Sequence, residues 1–291
     1  MDDSSATHFS DGFFTVADGL RLHYRDYPGD PARPPLLCLP GLTRNARDFA
    51  ALAERLSPRS RVLCLDFRGR GGSAFDPQPK RYIPPTYAGD TIALLDHLGI
   101  ERALIVGTSL GGIVAMIIAA VAGERIAGAI LNDVGPELSE PALERIRGYV
   151  GSARPFATWA EAAQAVAENQ AQLPASWGDS EWQAMARRLC RTSDGGSIRF
   201  DYDPAIAEPF RRATERQNVD MWPLFDALAK HPVLVVRGER SELFAAATLK
   251  AMAERSANVT MVTVAGAGHA PELDEPEAVA AIDALLENAV G

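Results

Sequence analysis

Residues 103–121 read ALIVGTSLGGIVAMIIAAV, and this stretch decides the fold. A short apolar run is followed by Gly107-Thr108-Ser109-Leu110-Gly111, which matches the pattern G-x-S-x-G, and then by a second apolar run. This order predicts a strand, a sharp turn and a helix, with Ser109 strained between two glycines that no side chain can replace. At the helix N-terminus, the backbone N–H of Leu110 could stabilise an oxyanion beside the Ser109 hydroxyl. A purely structural turn is the alternative interpretation.

Length, charge and hydrophobicity restrict the class of protein. The chain has 291 residues, 47% of them hydrophobic, which suffices for one large core or for one core with a subdomain. A net charge of −9, without basic runs interleaved with aromatic residues, argues against nucleic acid as a partner. The longest apolar run, residues 113–122, is too short to cross a bilayer. We expect a protein that acts on a small molecule, without a membrane span.

The first residues predict a cytoplasmic location, and the cysteines are expected to be unpaired. The start, MDDSSATHFSDG, is acidic and polar, whereas a signal peptide needs a basic end and an apolar core. Cys38, Cys64 and Cys190 cannot all pair, and the first two lie inside apolar runs. We expect them to be buried free thiols.

Further apolar runs on both sides of Ser109 predict more strands of one sheet, at residues 36–39, 62–67, 126–131, 233–236 and 259–264. The runs at 36–39 and 62–67 are continuous rather than alternating, which indicates that both faces of the sheet are covered, as is typical of a parallel sheet between two layers of helices. A β-hairpin turning at Asp18-Gly19 is expected before them.

The chain changes in character between residues 136 and 230. All four tryptophans lie there, no buried-strand run occurs, and helical spacing is found around residues 159–173. We expect a mainly helical insertion at 136–230, between two core segments at 1–135 and 231–291. Its aromatic and apolar side chains are expected to roof a pocket.

A second glycine-rich pattern, at residues 68–74, formally matches the dinucleotide fingerprint G-x-G-x-x-G/A. That fingerprint must open a helix, whereas here Pro77 and Pro79 follow closely. The context therefore rejects a dinucleotide site.

Acyl transfer through a serine needs a base, a group that orients the base, and donors for the oxyanion. His269 lies in a glycine-rich loop after the last strand, at the edge where open α/β sheets bind ligands. Two acids compete to orient it, since Asp133 ends one strand and Glu242 follows the next. Glu239 and Asp66 are weaker candidates for the same role.

Four motifs occur together in the order seen in α/β-hydrolases: Pro40-Gly41-Leu42, residues 66–73, Gly107 to Gly112, and Gly268-His269-Ala270-Pro271. The chain strongly resembles that superfamily over nearly its whole length. The resemblance implies an eight-stranded, mostly parallel sheet, a helical cap after the sixth strand, and no cofactor or metal.

The resemblance also implies roles for individual residues. It makes Ser109 the nucleophile, His269 the base, and the N–H groups of Leu42 and Leu110 the oxyanion donors. Most members carry an aspartate after the seventh strand, where this chain has Ser241-Glu242. Some members, including haloalkane dehalogenases and certain amide-cleaving hydrolases of vitamin B6 breakdown, take the acid from the end of the sixth strand. Asp133 occupies that place and is favoured over Glu242.

These features together predict a serine hydrolase that cleaves a carboxylic ester, amide, lactone or activated C–C bond through an acyl-enzyme. A ligand-binding sensor on the same fold is the alternative. Arg44, Arg68 and Arg70 lie near the predicted oxyanion loops, and Arg44 and Arg68 are candidates to bind an anionic group of the substrate. The oligomeric state is left open, and a homodimer is compatible with the sequence.

Overall fold

The computed structural model describes residues 9–152, 154–169, 177–193, 195–212 and 219–288. The strands are β1 (Ser10–Thr15), β2 (Arg21–Tyr27), β3 (Leu36–Leu39), β4 (Val62–Leu65), β5 (Ala103–Thr108), β6 (Ile126–Asn132), β7 (Cys190–Thr192), β8 (Ile198–Phe200), β9 (Val233–Gly238) and β10 (Val259–Val264). The α-helices are α1 (Ala50–Leu56), α2 (Pro84–His97), α3 (Leu110–Ala122), α4 (Glu140–Tyr149), α5 (Trp159–Asn169), α6 (Asp179–Leu189), α7 (Ala207–Arg212), α8 (Trp222–Leu228), α9 (Ala246–Arg255) and α10 (Pro276–Asn288).

Eight of these strands form one sheet in the order β1-β2-β4-β3-β5-β6-β9-β10. The first two pairings, β1 with β2 and β2 with β4, are antiparallel, and all the others are parallel. The predicted eight-stranded, mostly parallel sheet is therefore confirmed. Its parallel strands place the ends of β3, β5, β6, β9 and β10 on one edge.

Both faces of the central strands of the sheet are buried, as the continuous apolar runs predict. Along β3, Leu37 and Leu39 join one hydrophobic cluster while Leu36 and Cys38 join a second, because successive side chains of a strand point to opposite faces. The first cluster includes residues of α2, α3, α8 and α9, and the second includes residues of α1 and α10. Helices therefore cover each face of the sheet.

The segment between β6 and β9 contains helices α4 to α8 and a short antiparallel hairpin of β7 and β8. This hairpin is absent from the sequence-based prediction, since its strands have three residues each, too few for a periodic pattern. Helices α5 and α6 and the hairpin share a third hydrophobic cluster, which includes Phe156, Val166 and Met185. Helix α8 instead packs on α3 of the core.

The glycine-rich residues 68–74 form turns, and no helix starts among them. Gly71 has a φ of +54°, and a Cβ added to it would lie 2.2 Å from the Asp66 carboxylate. That carboxylate accepts hydrogen bonds from the backbone N–H groups of Ala46 (2.6 Å) and Gly72 (2.8 Å). The glycines thus let the loop fold around a buried Asp66, which supports a structural reading of this pattern.

Cys38, Cys64 and Cys190 are buried and unpaired, as predicted. Within the described ranges, no helix is both long and apolar enough to cross a membrane.

His23 joins the first hairpin to the loop after β4, and it gives the fold a pH dependence. Its Nδ1 lies 2.7 Å from Asp66 and its Nε2 lies 2.9 Å from Asp11. Burial alone lowers the pKa of His23, but the two carboxylates outweigh burial and raise it above the ordinary 6.5. The charged contacts therefore stabilise the fold fully below about pH 6.5, and this contribution is lost as the pH rises through the raised pKa.

Replacing His23 by glutamine, which keeps polarity but cannot carry the charge, should lower the melting temperature more at pH 6 than at pH 9. The wild type and His23→Gln are melted in parallel across this range. An equal loss at both pH values would contradict the assigned charge of His23.

Candidate active site

Ser109 lies in the sharp turn between β5 and α3, with φ 51° and ψ −114°. This backbone conformation is rare for a residue with a side chain, and the strain predicted for Ser109 is present. The chain around it is packed without spare space. A Cβ added to Gly107 would lie 2.5 Å from the carbonyl carbon of Gly111, and one added to Gly111 would lie 2.0 Å from the carbonyl oxygen of Leu39 in β3.

His269, in the loop after β10, contacts both the serine and an acid. Its Nε2 lies 3.1 Å from Ser109 Oγ, and its Nδ1 lies 2.7 Å from Asp133 Oδ2. The imidazole is about one-fifth exposed, so it is reachable from the cleft while its far side faces a buried carboxylate. When the imidazole carries its proton on Nδ1 and donates it to Asp133 in a hydrogen bond, Nε2 is free to accept the Ser109 proton.

Asp133 follows β6 directly and is completely buried. Besides His269, its carboxylate accepts a hydrogen bond from the backbone N–H of Gly238 (2.9 Å) and one from the hydroxyl of Ser241 (2.6 Å). These donors hold the carboxylate in one orientation and compensate the charge that burial would otherwise disfavour.

The other candidate acids lie elsewhere. Glu242 is exposed and forms an ion pair with Arg145 of α4. Glu239 is also exposed and accepts the backbone N–H of Gly266 (2.8 Å). Asp66 is engaged by His23 and the glycine-rich loop. Asp133 is therefore the acid that the structure brings to His269.

The loop after β3 passes beside Ser109. A Cβ added to Gly41 would lie 3.8 Å from the Cβ of Ser109, so the backbone of Gly41 is close to Ser109. Leu42 is the next residue of this loop. The Leu42 carbonyl accepts a hydrogen bond from Arg70 Nε (2.9 Å), which orients this peptide. Leu110, the other predicted oxyanion donor, is the first residue of α3, where backbone N–H groups have no partner within the helix.

A cleft of about 780 Å³ of empty space, including its mouth, opens above Ser109 and His269. Its walls come from the loop after β3, the end of β6, helices α4 and α6, and the loop after β10. The insertion contributes Ile146, Tyr149 and Met185.

Arg44 lines this cleft. Its Nε donates to the Asp48 carboxylate, and its Nη2 lies 3.3 Å from the sulfur of Met185. Burial lowers the pKa of the Arg44 guanidinium, but Asp48 and Glu272 outweigh burial and raise it, so Arg44 keeps its charge.

Arg68 lies outside the cleft, so the prediction that it binds the substrate is wrong. The side chain is only 2% exposed and donates to Asp90 (2.7 Å), Asp76 (2.5 Å) and Asp18 (2.9 Å). Burial lowers the pKa of its guanidinium, and the three carboxylates raise it more strongly. Arg70 is likewise buried and holds the Leu42 carbonyl. Both arginines are structural.

Asn132 is a site residue that sequence reasoning missed. Its Nδ2 donates to the carbonyl of Pro271 (2.8 Å) and to Thr108 Oγ1 (3.2 Å), which ties the His269 loop to β5 and β6. Its Oδ1 is buried without a hydrogen-bond partner. The position directly before Asp133, at the end of a strand, was the available signal.

No group of three or more His, Cys, Asp or Glu side chains within the described ranges could hold a metal ion. What the site offers is a serine hydroxyl, an imidazole and a carboxylate in contact with one another, together with nearby backbone N–H groups.

Comparison with known proteins agrees with this fold. The model of the alpha/beta hydrolase family matches residues 36–282, and the chain belongs to that family. A crystal structure of an alpha/beta hydrolase from Novosphingobium aromaticivorans is 52% identical, with a TM-score of 0.92, covering 97% of this chain and 99% of that one.

Two characterised relatives are similar over most of their length. The 3-hydroxybutyrate-oligomer hydrolase of Cupriavidus necator is 35% identical over 269 residues, which is 89% of this chain and 90% of that protein. The 2-(acetamidomethylene)succinate hydrolase of Mesorhizobium japonicum is 29% identical, covering 84% of each chain. Both are hydrolases, which disfavours the alternative of a ligand sensor.

The turn at Ser109 depends on Gly111. We expect Gly111→Ala to destabilise the protein by more than the about 1–3 kcal/mol typical of an overpacked core, because the new methyl group meets a backbone carbonyl that cannot rotate away. Gly89→Ala, in the interior of α2 where a Cβ meets no atom within 4 Å, should instead stabilise it by about 0.5–1 kcal/mol. Urea unfolding measures both. Normal stability of Gly111→Ala would contradict the close packing.

Proposed function

We propose that this protein is a serine hydrolase that cleaves small carboxylic esters through an acyl-enzyme. The observation that carries the proposal is the continuous chain of contacts from Ser109 Oγ to His269 Nε2 and from His269 Nδ1 to Asp133. Each of the three groups has the partner that its chemistry needs.

In the acylation step, His269 takes the Ser109 proton as the oxygen attacks the carbonyl carbon of the ester. The carbonyl oxygen becomes negatively charged, and the N–H groups of Leu42 and Leu110 are our candidates to stabilise it. His269 then gives its proton to the departing alcohol. Asp133 keeps the imidazole oriented and stabilises its positive form throughout.

In the deacylation step, His269 removes a proton from water, and the resulting hydroxide attacks the acyl-enzyme. The acid leaves and Ser109 recovers its proton. These two steps consume one water per ester and need no metal or cofactor.

We select an ester among the possible bonds because the relative with 35% identity is named for hydrolysis of an oligomer of 3-hydroxybutyrate. The relative named for an amide-type substrate is less similar, at 29%. An ester also has the better leaving group, so the same site needs less transition-state stabilisation to cleave it.

We propose that residues 136–221 act as a cap over the acyl pocket, within the insertion that the sequence predicts at residues 136–230. The support is the separate hydrophobic cluster of α5, α6 and the β7–β8 hairpin, together with Ile146, Tyr149 and Met185 in the cleft wall. Helix α8 packs on α3, so we assign it to the core and end the cap before residue 222.

A cytoplasmic location stays a prediction. Three buried, unpaired cysteines support it, since free thiols persist in reducing compartments. A homodimer likewise stays a prediction of the sequence.

The role of Ser109 is tested by Ser109→Ala. The substitution removes the attacking oxygen, so turnover of p-nitrophenyl acetate should fall roughly a thousandfold or more, and labelling by a fluorophosphonate should disappear. Ser180→Ala, at an exposed serine of α6, serves as the matched control and should keep full activity. Near-normal turnover by Ser109→Ala would exclude this mechanism.

The acid is tested by comparing Asp133→Asn with Glu242→Gln. An amide at position 133 no longer fixes the tautomer of His269, so acylation should slow by roughly a hundredfold to ten-thousandfold. The exposed Glu242→Gln should cost less than about tenfold. Stopped-flow acylation with an activated ester measures both, and thermal melting checks folding. If Glu242→Gln were the more damaging change, the acid would belong to the loop after β9.

A further inference from the structure

Two guanidinium groups converge on one sulfur atom in the wall of the cleft. Arg44 Nη2 lies 3.3 Å from Met185 Sδ, and Arg188 Nη2 lies 3.4 Å from the same atom. A thioether is a weak hydrogen-bond acceptor, whereas a guanidinium donates strongly to anions. Two charged donors, one from the loop after β3 and one from α6, therefore share the Met185 sulfur, which is a poor hydrogen-bond acceptor.

Each arginine is held by a carboxylate on another of its edges. Arg44 uses Nε to bind Asp48, and Arg188 uses Nη1 to bind Glu272 at 2.5 Å. These pairs fix both guanidinium planes without occupying the Nη2 atoms that face Met185. The two arginines are only 19% and 27% exposed, so their side chains are largely ordered by protein contacts.

Most of this cluster lines the cleft that contains Ser109, and Arg188 reaches that cleft through its contacts with Met185 and Glu272. Arg44, Met185 and Glu272 line it together with Ser109 and His269. A Cβ added to Gly41 would lie 3.3 Å from Arg44 Cγ and 3.8 Å from Ser109 Cβ, so the stem of Arg44 starts beside Ser109. Arg44 therefore extends from beside Ser109 to the Met185 sulfur along the wall of one cleft.

We propose that Arg44 and Arg188 form a carboxylate subsite, and that the substrates are small esters with a free carboxylate a few bonds from the scissile carbonyl. This inference rests on the proposed ester hydrolysis. The substrate carboxylate replaces the Met185 sulfur as acceptor and receives one N–H from each arginine. The unbranched Met185 side chain has three rotatable bonds and can withdraw.

The surrounding charges make the subsite selective at short range. Asp48 and Glu272 balance the two arginines, so the empty cluster of four side chains is electrically neutral. The cluster therefore does not attract anions over a distance through a net positive charge. Binding depends instead on directed charge-assisted hydrogen bonds, which require a carboxylate at the right distance from the ester.

The test compares two esters that differ only in charge, 3-acetoxybutyrate and its neutral amide 3-acetoxybutanamide, by the release of acetate. The wild type should prefer the acid. In Arg44→Gln and Arg188→Gln, this preference in kcat/KM should fall roughly tenfold to a hundredfold, mainly through a higher KM for the acid. Arg187→Gln removes the same charge from the same turn of α6 and should leave the preference unchanged, because Arg187 stacks on Trp159.

A wild type without preference for the acid, or an unchanged preference in both arginine variants, would overturn the subsite. Should an arginine variant fail to fold, Met185→Glu keeps both arginines and offers them an internal carboxylate, so it should weaken the acid preference as well.

A binding measurement separates this inference from the proposed function. Calorimetry of 3-hydroxybutyrate with Ser109→Ala should give binding that is lost in the Ser109→Ala, Arg44→Gln double variant. Binding without any ester turnover by the wild type would retain the subsite and reject the hydrolase. Turnover of p-nitrophenyl acetate without acid preference or acid binding would do the reverse.

Discussion

The hydrogen bonds of the buried Asp133 carboxylate hold the parts of the site together. This carboxylate accepts hydrogen bonds from the N–H of Gly238 and the hydroxyl of Ser241, and it holds the imidazole of His269. A fully buried carboxylate needs these donors, because an unpaired charge is strongly disfavoured away from water. The same need brings the ends of β6 and β9 and the loop after β10 to one point. The acid thus organises the edge of the sheet as well as the histidine.

The elements of the core follow from the sequence because each of them has a strong local signal. The turn at Ser109 is fixed by glycines whose added Cβ atoms would overlap backbone. The strands are continuous apolar runs, and β3 and β5 divide their side chains between the two faces as the period of a strand requires. Ser241 explains the departure from the usual family pattern, since it stands after β9 and donates to Asp133 instead of supplying an acid.

What the sequence could not give depends on contacts between distant segments. Arg44 and Arg68 both lie near predicted oxyanion loops in the sequence. In the structure Arg44 reaches the cleft, whereas Arg68 binds three carboxylates, one of them on α2. Such pairings have no local pattern. The β7–β8 hairpin is too short to show a period, and Asn132 becomes a site residue only because the Pro271 loop passes over the end of β6. Tertiary packing decides all of these.

The end of α6 is hydrogen-bonded to the loop after β3, which connects the insertion to the core. The carbonyl of Arg188 accepts hydrogen bonds from Asn45 Nδ2 (3.0 Å) and Arg47 Nε (2.9 Å), both in the stretch that follows Leu42. The segment that runs past Ser109 is therefore hydrogen-bonded to a helix that packs on α5. Substitutions between α5 and α6 that move α6 would also move the loop beside Ser109, so the packing of the insertion and the shape of the cleft cannot change independently.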